Sequence, residues 1–274
     1  MSTATRELAR HLRARTLRMV HRAKASHVGS CFSAADILAV LYGEVLKVDP
    51  SRPDWADRDR FIMSKGHAAA ILYAVLAAKG FFADELLDSY SQDGSQLAGH
   101  VTATVPGIQV STGSLGHGLP IGCGMALAAK HDRKDWRVFV VMSDGECNEG
   151  SNWEAALFGA RFGLDNLVAI IDYNKLQGFG GSDDVLGLAP LADKWKSFGW
   201  TVIELDGHDH DALTAAAARS AAKPGKPTMI VAHTTKGKGV SFMEGSLAWH
   251  YKSPSDADFA AALAEIEAEG ARPS

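Results

Sequence analysis

Two short runs of apolar, largely β-branched residues, Val138–Met142 and Leu167–Ile171, flank a segment whose apolar positions recur at helical spacing. That alternation predicts a β-α-β unit with parallel strands. The same grammar recurs along the chain. Arg60–Met63 reads as a short strand, Ser64–Gly66 as a turn, and the run after it as a strongly apolar helix. Further on, a strand ending at Asp206-Gly207, a helix over Asp211–Ala222 and a strand over Pro227–His233 continue the pattern, with helices expected near Ala83–Ser91 and Leu191–Phe198. Strands alternating with helices imply an α/β fold, a doubly wound, mostly parallel sheet with helices on both faces.

The two ends read differently. Residues 3–23 place Leu8, Leu12, Leu17 and Val20 at helical spacing with arginines opposite, which predicts a surface helix whose arginines face solvent. A loop of small residues from Ala25 then runs into an amphipathic helix over Ala34–Leu46, with Ser33 as its N-cap. After Pro254 an Ala/Glu helix closes the chain. The expectation is one domain over 1–274, with an N-terminal helical portion at about 1–58 and a helical tail at about 255–274.

Composition narrows the function. Apolar residues make up 46%, there are 27 glycines, and the formal charge is −4, so no basic stripe offers itself to nucleic acid. No apolar run reaches the length of about 18 residues that a membrane span requires, and the N-terminus lacks a signal-peptide core. No membrane partner and a cytoplasmic location are expected. Cys31, Cys123 and Cys147 lack metal or disulfide spacing and read as free thiols without a catalytic role.

The chemistry gathers at strand ends. Asp144 follows the first strand of the central unit and Asn174 the second, and ligands of open α/β sheets sit outside the carboxyl ends of strands. With the Leu176 carbonyl they form a sparse, all-oxygen set suited to Mg²⁺ that shares its shell with phosphate oxygens. Gly145 lets backbone approach a phosphate, and a helix beginning near Asn148 aims free N–H groups at it. Taken alone, the same residues also read as an acidic turn and a solvated Asn. His27 lies in a loop, His67 in the first turn of a helix that favours its neutral form, and Lys236 beside glycine after a strand suits an anion. The glycines at 113, 116 and 118 fail as a dinucleotide fingerprint because Ile121 stands where the third glycine belongs. Asp206-Gly-His208 is read as a helix-entry turn in preference to a second metal pair.

Ser143-Asp-Gly145 followed by Asn174 resembles the diphosphate motif of thiamine diphosphate enzymes, with Ser143 and Tyr173 as departures. Over roughly residues 5–252 the chain resembles transketolases: His27-x-x-Ser30, Ser64-x-Gly-His67-Ala, His100, Thr112-Gly-Ser-Leu-Gly with His117 in place of Gln, and Trp249-His250 with Tyr251 in place of Gly. The resemblance implies a diphosphate-binding domain, and thiamine diphosphate with Mg²⁺ (replaceable by Ca²⁺ or Mn²⁺) on Asp144, Asn174 and the Leu176 carbonyl. It implies cofactor contacts from Ser30, His67, Gly113, Ser114, Leu115, Gly145, Glu146, Lys236 and His250. It implies sugar contacts and proton relay by His27, His100 and His250, and an interface role for Glu149, which equally reads as a helix-start carboxylate. Tyr251 is expected to narrow its side of the pocket.

Transketolases are more than twice as long, and the pyrimidine-binding domain with its activating glutamate finds no counterpart here. The expectation is the N-terminal subunit of a naturally split transketolase, assembled with a separate C-terminal pyrimidine-domain chain as a heterotetramer of two of each. It would move a two-carbon ketol unit from a ketose, expected to be phosphorylated, to an aldose, as in the pentose phosphate pathway. Alternatives are a deoxyxylulose-phosphate synthase-like enzyme, a specialised sugar transketolase subunit, a non-catalytic assembly or regulatory subunit, and, weakest, a nicotinamide dehydrogenase.

Overall fold

The computed structural model describes residues 2–219 and 225–269. Five strands form one sheet: β1 (Arg60–Met63), β2 (Val138–Ser143), β3 (Leu167–Tyr173), β6 (Thr201–Asp206) and β7 (Thr228–His233). Their order is β1-β2-β3-β7-β6 and every pairing is parallel. A short antiparallel hairpin, β4 (Leu176–Gln177) with β5 (Gly180–Gly181), stands apart from the sheet.

Successive strand residues point to opposite faces, so each strand feeds two cores. On one face Phe139, Val141, Val168, Ile170 and Ile230 pack with α1 (Ser2–Ala23), α2 (Val28–Ser33), α3 (Ala35–Val40) and α4 (Ala69–Ala78). On the other, Val138, Val140, Met142, Ala169, Ile171 and Val231 pack with α5 (Gly118–His131), α6 (Gly150–Arg161) and α8 (Leu191–Ser197). β2 and β3 are buried along their whole length, as their unbroken apolar runs require of strands covered on both sides. α4 is apolar all round and buried all round. α7 (Ser182–Leu186) follows the hairpin.

Several local expectations change. Ser33 is not an N-cap: helix begins at Val28, and the Ser33 hydroxyl gives its one proton to Asp172 at 2.6 Å, the Ser30 carbonyl lying farther off at 3.2 Å. The predicted long helix after it is α3 followed by a π turn at Leu41–Val45. The segment near Ala83–Ser91 is a 3₁₀ turn over Asp84–Ser89. The arginines of α1 are not simply solvated. Arg13 is buried against Asp36, while Arg15, Arg18 and Arg22 pair with Asp84, Glu267 and Asp88. α9 (His210–Arg219) matches the helix expected over 211–222 up to its last three residues, which lie outside the described residues. The closing helix, α10 (Asp256–Glu269), seats Ala262 and Ile266 in the same core as α1; the polar terminus beyond it lies outside the described residues. Among the described residues no helix is long and apolar enough to cross a membrane.

Candidate functional site

A parallel sheet aims all its carboxyl ends one way, and here the ends of β1, β2, β3 and β7 deliver Ser64-Lys65, Asp144, Asn174 and Thr234–Lys236 to one region. A cavity of about 250 Å³ opens there. His27, Ser30, His67, His100, Gly113, Leu115, Asp144, Gly145, Asn174, Leu176, Lys236 and His250 all line it, so the structure brings together most of the residues singled out from sequence.

Three expected residues do not line it. Ser114 is exposed, between the lining residues Gly113 and Leu115. Glu149 is exposed at the start of α6, beside Gly116. Glu146 is fully buried, and its carboxylate accepts from the Ser64 hydroxyl and from the Gly116 and Ser143 N–H groups. It fastens three loops behind the wall. The helix start is also displaced: a 3₁₀ turn occupies Gly145–Asn148 and α6 begins at Gly150. His117, at the N-terminus of α5, is exposed and turns its Nδ1 toward the Leu115 carbonyl at 3.1 Å.

On the metal side, one Asp144 oxygen accepts the Gly145 N–H at 2.8 Å and the other the Ser182 hydroxyl at 2.8 Å. Asn174 Oδ1 accepts the Leu176 N–H at 3.1 Å, and the Leu176 carbonyl accepts from Lys236 Nζ at 2.9 Å. Each oxygen retains a lone pair. Burial raises the Asp144 carboxyl above its ordinary value, against the hydrogen bonds from Ser182 and Gly145. A dry carboxylate beside an amide and a carbonyl oxygen suits a hard cation, and the donor set fits Mg²⁺. Gly113, Gly145 and Gly178 line the cavity, and a Cβ on them would meet the His100 ring at 3.2 Å, Gln177 Cβ at 3.0 Å and the Tyr251 hydroxyl at 2.5 Å, so bare backbone lets those side chains close in around it. Gly66 has a separate reason: a Cβ there would lie 2.6 Å from the Thr112 carbonyl carbon, so the loop before His67 and the loop before Gly113 touch through bare backbone.

Four histidines form the opposite wall. Ring centroids of His67, His100 and His250 lie 5.3, 6.1 and 5.1 Å from that of His27. His27 holds a left-handed backbone at φ 70°, uncommon for a side-chain-bearing residue, and its N–H donates to the His250 carbonyl at 3.0 Å. The Lys236 ammonium stands 2.8 Å from His250 Nδ1. An ammonium only donates, so Nδ1 accepts and the ring proton sits on Nε2. Burial pushes His27 down to about 4 and His250 to about 3, with neighbouring cationic groups adding to both. Burial, then Lys65, holds His67 well below its ordinary value. All three are neutral near pH 7, able to donate and accept at once. Burial, then Lys65, brings Lys236 down to about 8.

Sequence reasoning passed over the floor of the site. Lys65 and Asp172 form an ion pair with both side chains fully buried. Lys65 also donates to the Ser30 carbonyl at 3.0 Å, and Asp172 accepts from the hydroxyls of Ser33, at 2.6 Å, and Thr234. Burial alone would raise Asp172, but the Lys65 charge and these bonds hold it below the usual carboxylate range. A charged residue directly after the apolar run Leu167–Ile171 and still within β3 was the available signal. Tyr251 lies on the cavity rim as expected, its hydroxyl donating to the Gly178 carbonyl at 3.1 Å and its ring 4.7 Å from that of His250.

The family model for the transketolase thiamine diphosphate binding domain matches residues 4–269. A subunit of the apulose-4-phosphate transketolase of Phocaeicola vulgatus is 45% identical, over 93% of this chain and 90% of that protein. The 6-deoxy-6-sulfo-D-fructose transketolase subunit SqwG of a Clostridium species is 44% identical, over 95% of each. The solved transketolase of Leishmania mexicana superposes with a TM-score of 0.90 at 33% identity, covering 98% of this chain but only 41% of the longer one.

Proposed function

The chain belongs to the transketolase family, matched through its thiamine diphosphate-binding domain, and on that premise we propose that it is the N-terminal subunit of a two-chain transketolase working in the cytoplasm. A separate pyrimidine-domain chain completes the site, in a heterotetramer of two of each, and the present chain is a single diphosphate-binding domain. The observation that carries this reading is the convergence of Asp144, Asn174 and the Leu176 carbonyl with four histidines on one cavity. Two relatives named as transketolase subunits that match nearly end to end support it.

In this reading Asp144, Asn174 and the Leu176 carbonyl hold Mg²⁺, and His67, Gly145, Lys236 and the Gly113–Leu115 backbone hold the cofactor's diphosphate side. Ser114 and Glu149 are exposed and do not line the cavity of this chain, which leaves them for contact with the partner. When bound, thiamine diphosphate supplies the electron sink for breaking and making the carbon–carbon bond. The chain's own residues position and protonate. His27 and His100 share hydrogen bonds with the sugar hydroxyls, and His250 donates to them from Nε2–H because its Nδ1 is taken by Lys236. Relay of protons among those hydroxyls is assigned to these imidazoles. The reaction is transfer of a two-carbon ketol unit from a ketose to an aldose. The relatives' names place a phosphate or a sulfo group on their sugars, and a ketose with an anionic end is the substrate class inferred here. Lys236 is the one Lys or Arg among the lining residues and is already engaged, so that anion is assigned to the partner chain.

The test is titration of thiamine diphosphate, with and without Mg²⁺, into the complex reassembled with its co-purifying partner. Uptake should require Mg²⁺ and vanish in the Asp144→Ala/Asn174→Ala variant, and ketol transfer should require both chains. Undiminished uptake by the double variant, or full turnover by this chain alone, would end the proposal.

A further inference from the structure

The turn Asp206-Gly-His208 enters α9, as its sequence suggests, but its histidine does more than start a helix. His208 Nδ1 lies 2.6 Å from an Asp36 oxygen, and its Nε2 faces the Thr235 N–H at 2.9 Å. A carboxylate has no proton to give, so Nδ1 carries the hydrogen and Nε2 is left as a lone pair that accepts from Thr235. Asp36 is itself fixed: Arg13 of α1 binds both its oxygens and His210 Nε2 approaches one at 3.1 Å. Burial works against the Asp36 charge, but Arg13, His208 and His210 together keep the carboxyl well below its ordinary value.

Thr235 sits in the turn after β7. Its neighbours on that turn reach into the site: Thr234 donates to Asp172, and Lys236 donates to the Leu176 carbonyl and to His250. We propose that His208 is a positioning residue for the site, holding through Thr235 the turn that aims Lys236 between the metal-side carbonyl and His250, in a tautomer set by Asp36. The consequence for cofactor uptake rests on the reading of the cavity given above; the tether itself does not.

The experiment compares His208→Leu, His208→Asn and His208→Gln in the full chain. Gln can place a carbonyl where Nε2 stands, Leu supplies no acceptor, and Asn satisfies Asp36 but falls short of Thr235. Two quantities are read: the rate at which an acetylating reagent labels Lys236, followed by peptide mass spectrometry, and the Kd of thiamine diphosphate with Mg²⁺ in the reassembled complex. For the Leu and Asn variants, labelling should speed and Kd should weaken by about tenfold, the scale expected of one unsatisfied, partly buried donor. The Gln variant should stay within about threefold of the parent on the same scale. A purely structural role would move the three variants alike, and that result, or parent-like labelling in the Asn variant, overturns the proposal. If the labelling contrast holds while the parent complex takes up no thiamine diphosphate, the tether stands and the cofactor reading falls.

Discussion

Asp172→Asn is the sharpest probe of how the site floor is held. The substitution keeps shape and removes a charge. It leaves the Lys65 ammonium, fully buried, with the Ser30 carbonyl at 3.0 Å as its remaining strong acceptor. Removing one member of a buried ion pair costs about 3–5 kcal/mol, because the survivor cannot reach water. Set against a typical total of about 5–15 kcal/mol, that is a large fraction of the fold's stability. Because Asp172 is held below its ordinary pKa, its contribution is fully present above about pH 4 and is lost as pH falls through the lower folded value. The measurement belongs at pH 7. Urea unfolding should show the midpoint falling by about 1 M or more, with the slope m unchanged, for m near 3 kcal/mol/M. Lys65→Met combined with the same Asp172→Asn removes both charges and should recover most of the loss, giving a coupling of about 2 kcal/mol or more in the double-mutant cycle of the two single variants and the pair. A single-variant cost below about 1 kcal/mol would refute the reasoning, since it would mean that water already reaches the pair.

Acid should weaken the cofactor-free chain in a defined window. His27, His67 and His250 stay deprotonated when folded, while unfolded imidazoles take up protons from about pH 6.5 downward. The urea midpoint therefore falls from pH 6.5 toward 4, and His67→Gln should make that fall shallower than in the parent. Asp144 and Glu146, raised by burial, act in the opposite sense, so only the difference between variant and parent is diagnostic, and parallel curves would count against it. Tyr251→Phe removes the bond that ties the rim to Gly178 and should weaken thiamine diphosphate binding by about two- to tenfold, the equivalent of about 0.5–1.5 kcal/mol. Tyr251→Gly should in addition raise kcat/KM for bulkier ketoses, and an unaltered substrate profile would show that the phenol does not narrow the pocket.

The sheet was legible because β2 and β3 are apolar on both faces and their flanking helices keep a clear period. The places of Asp144 and Asn174 on the cavity were legible because each directly follows a strand end. What the sequence concealed were polar residues whose partners lie far along the chain. Ser33 looks like a helix start, yet Gly29 and Ser30 are folded into helix and its hydroxyl is drawn to Asp172, beneath the cavity. The α1 arginines have the spacing of a solvated face, and only the approach of α3 reveals that Arg13 answers Asp36. Glu146 sits beside the diphosphate motif in sequence but turns away from the cavity, because Ser64, Ser143 and Gly116 offer it three donors in the interior. Spacing along one strand cannot disclose a bond that closes only when a fourth loop arrives.

The Glu146 junction also bears on how such a pocket can be altered. Loops that begin at three separate places in the chain rest on a single carboxylate, so they form one chassis, and a change to any of them is transmitted to the other two. The rim built from Gly178, Phe179 and Tyr251 hangs from different supports. Diversification of sugar preference, by selection or by an engineer, is therefore cheapest at that rim, where side chains can be exchanged while the frame beneath stays locked.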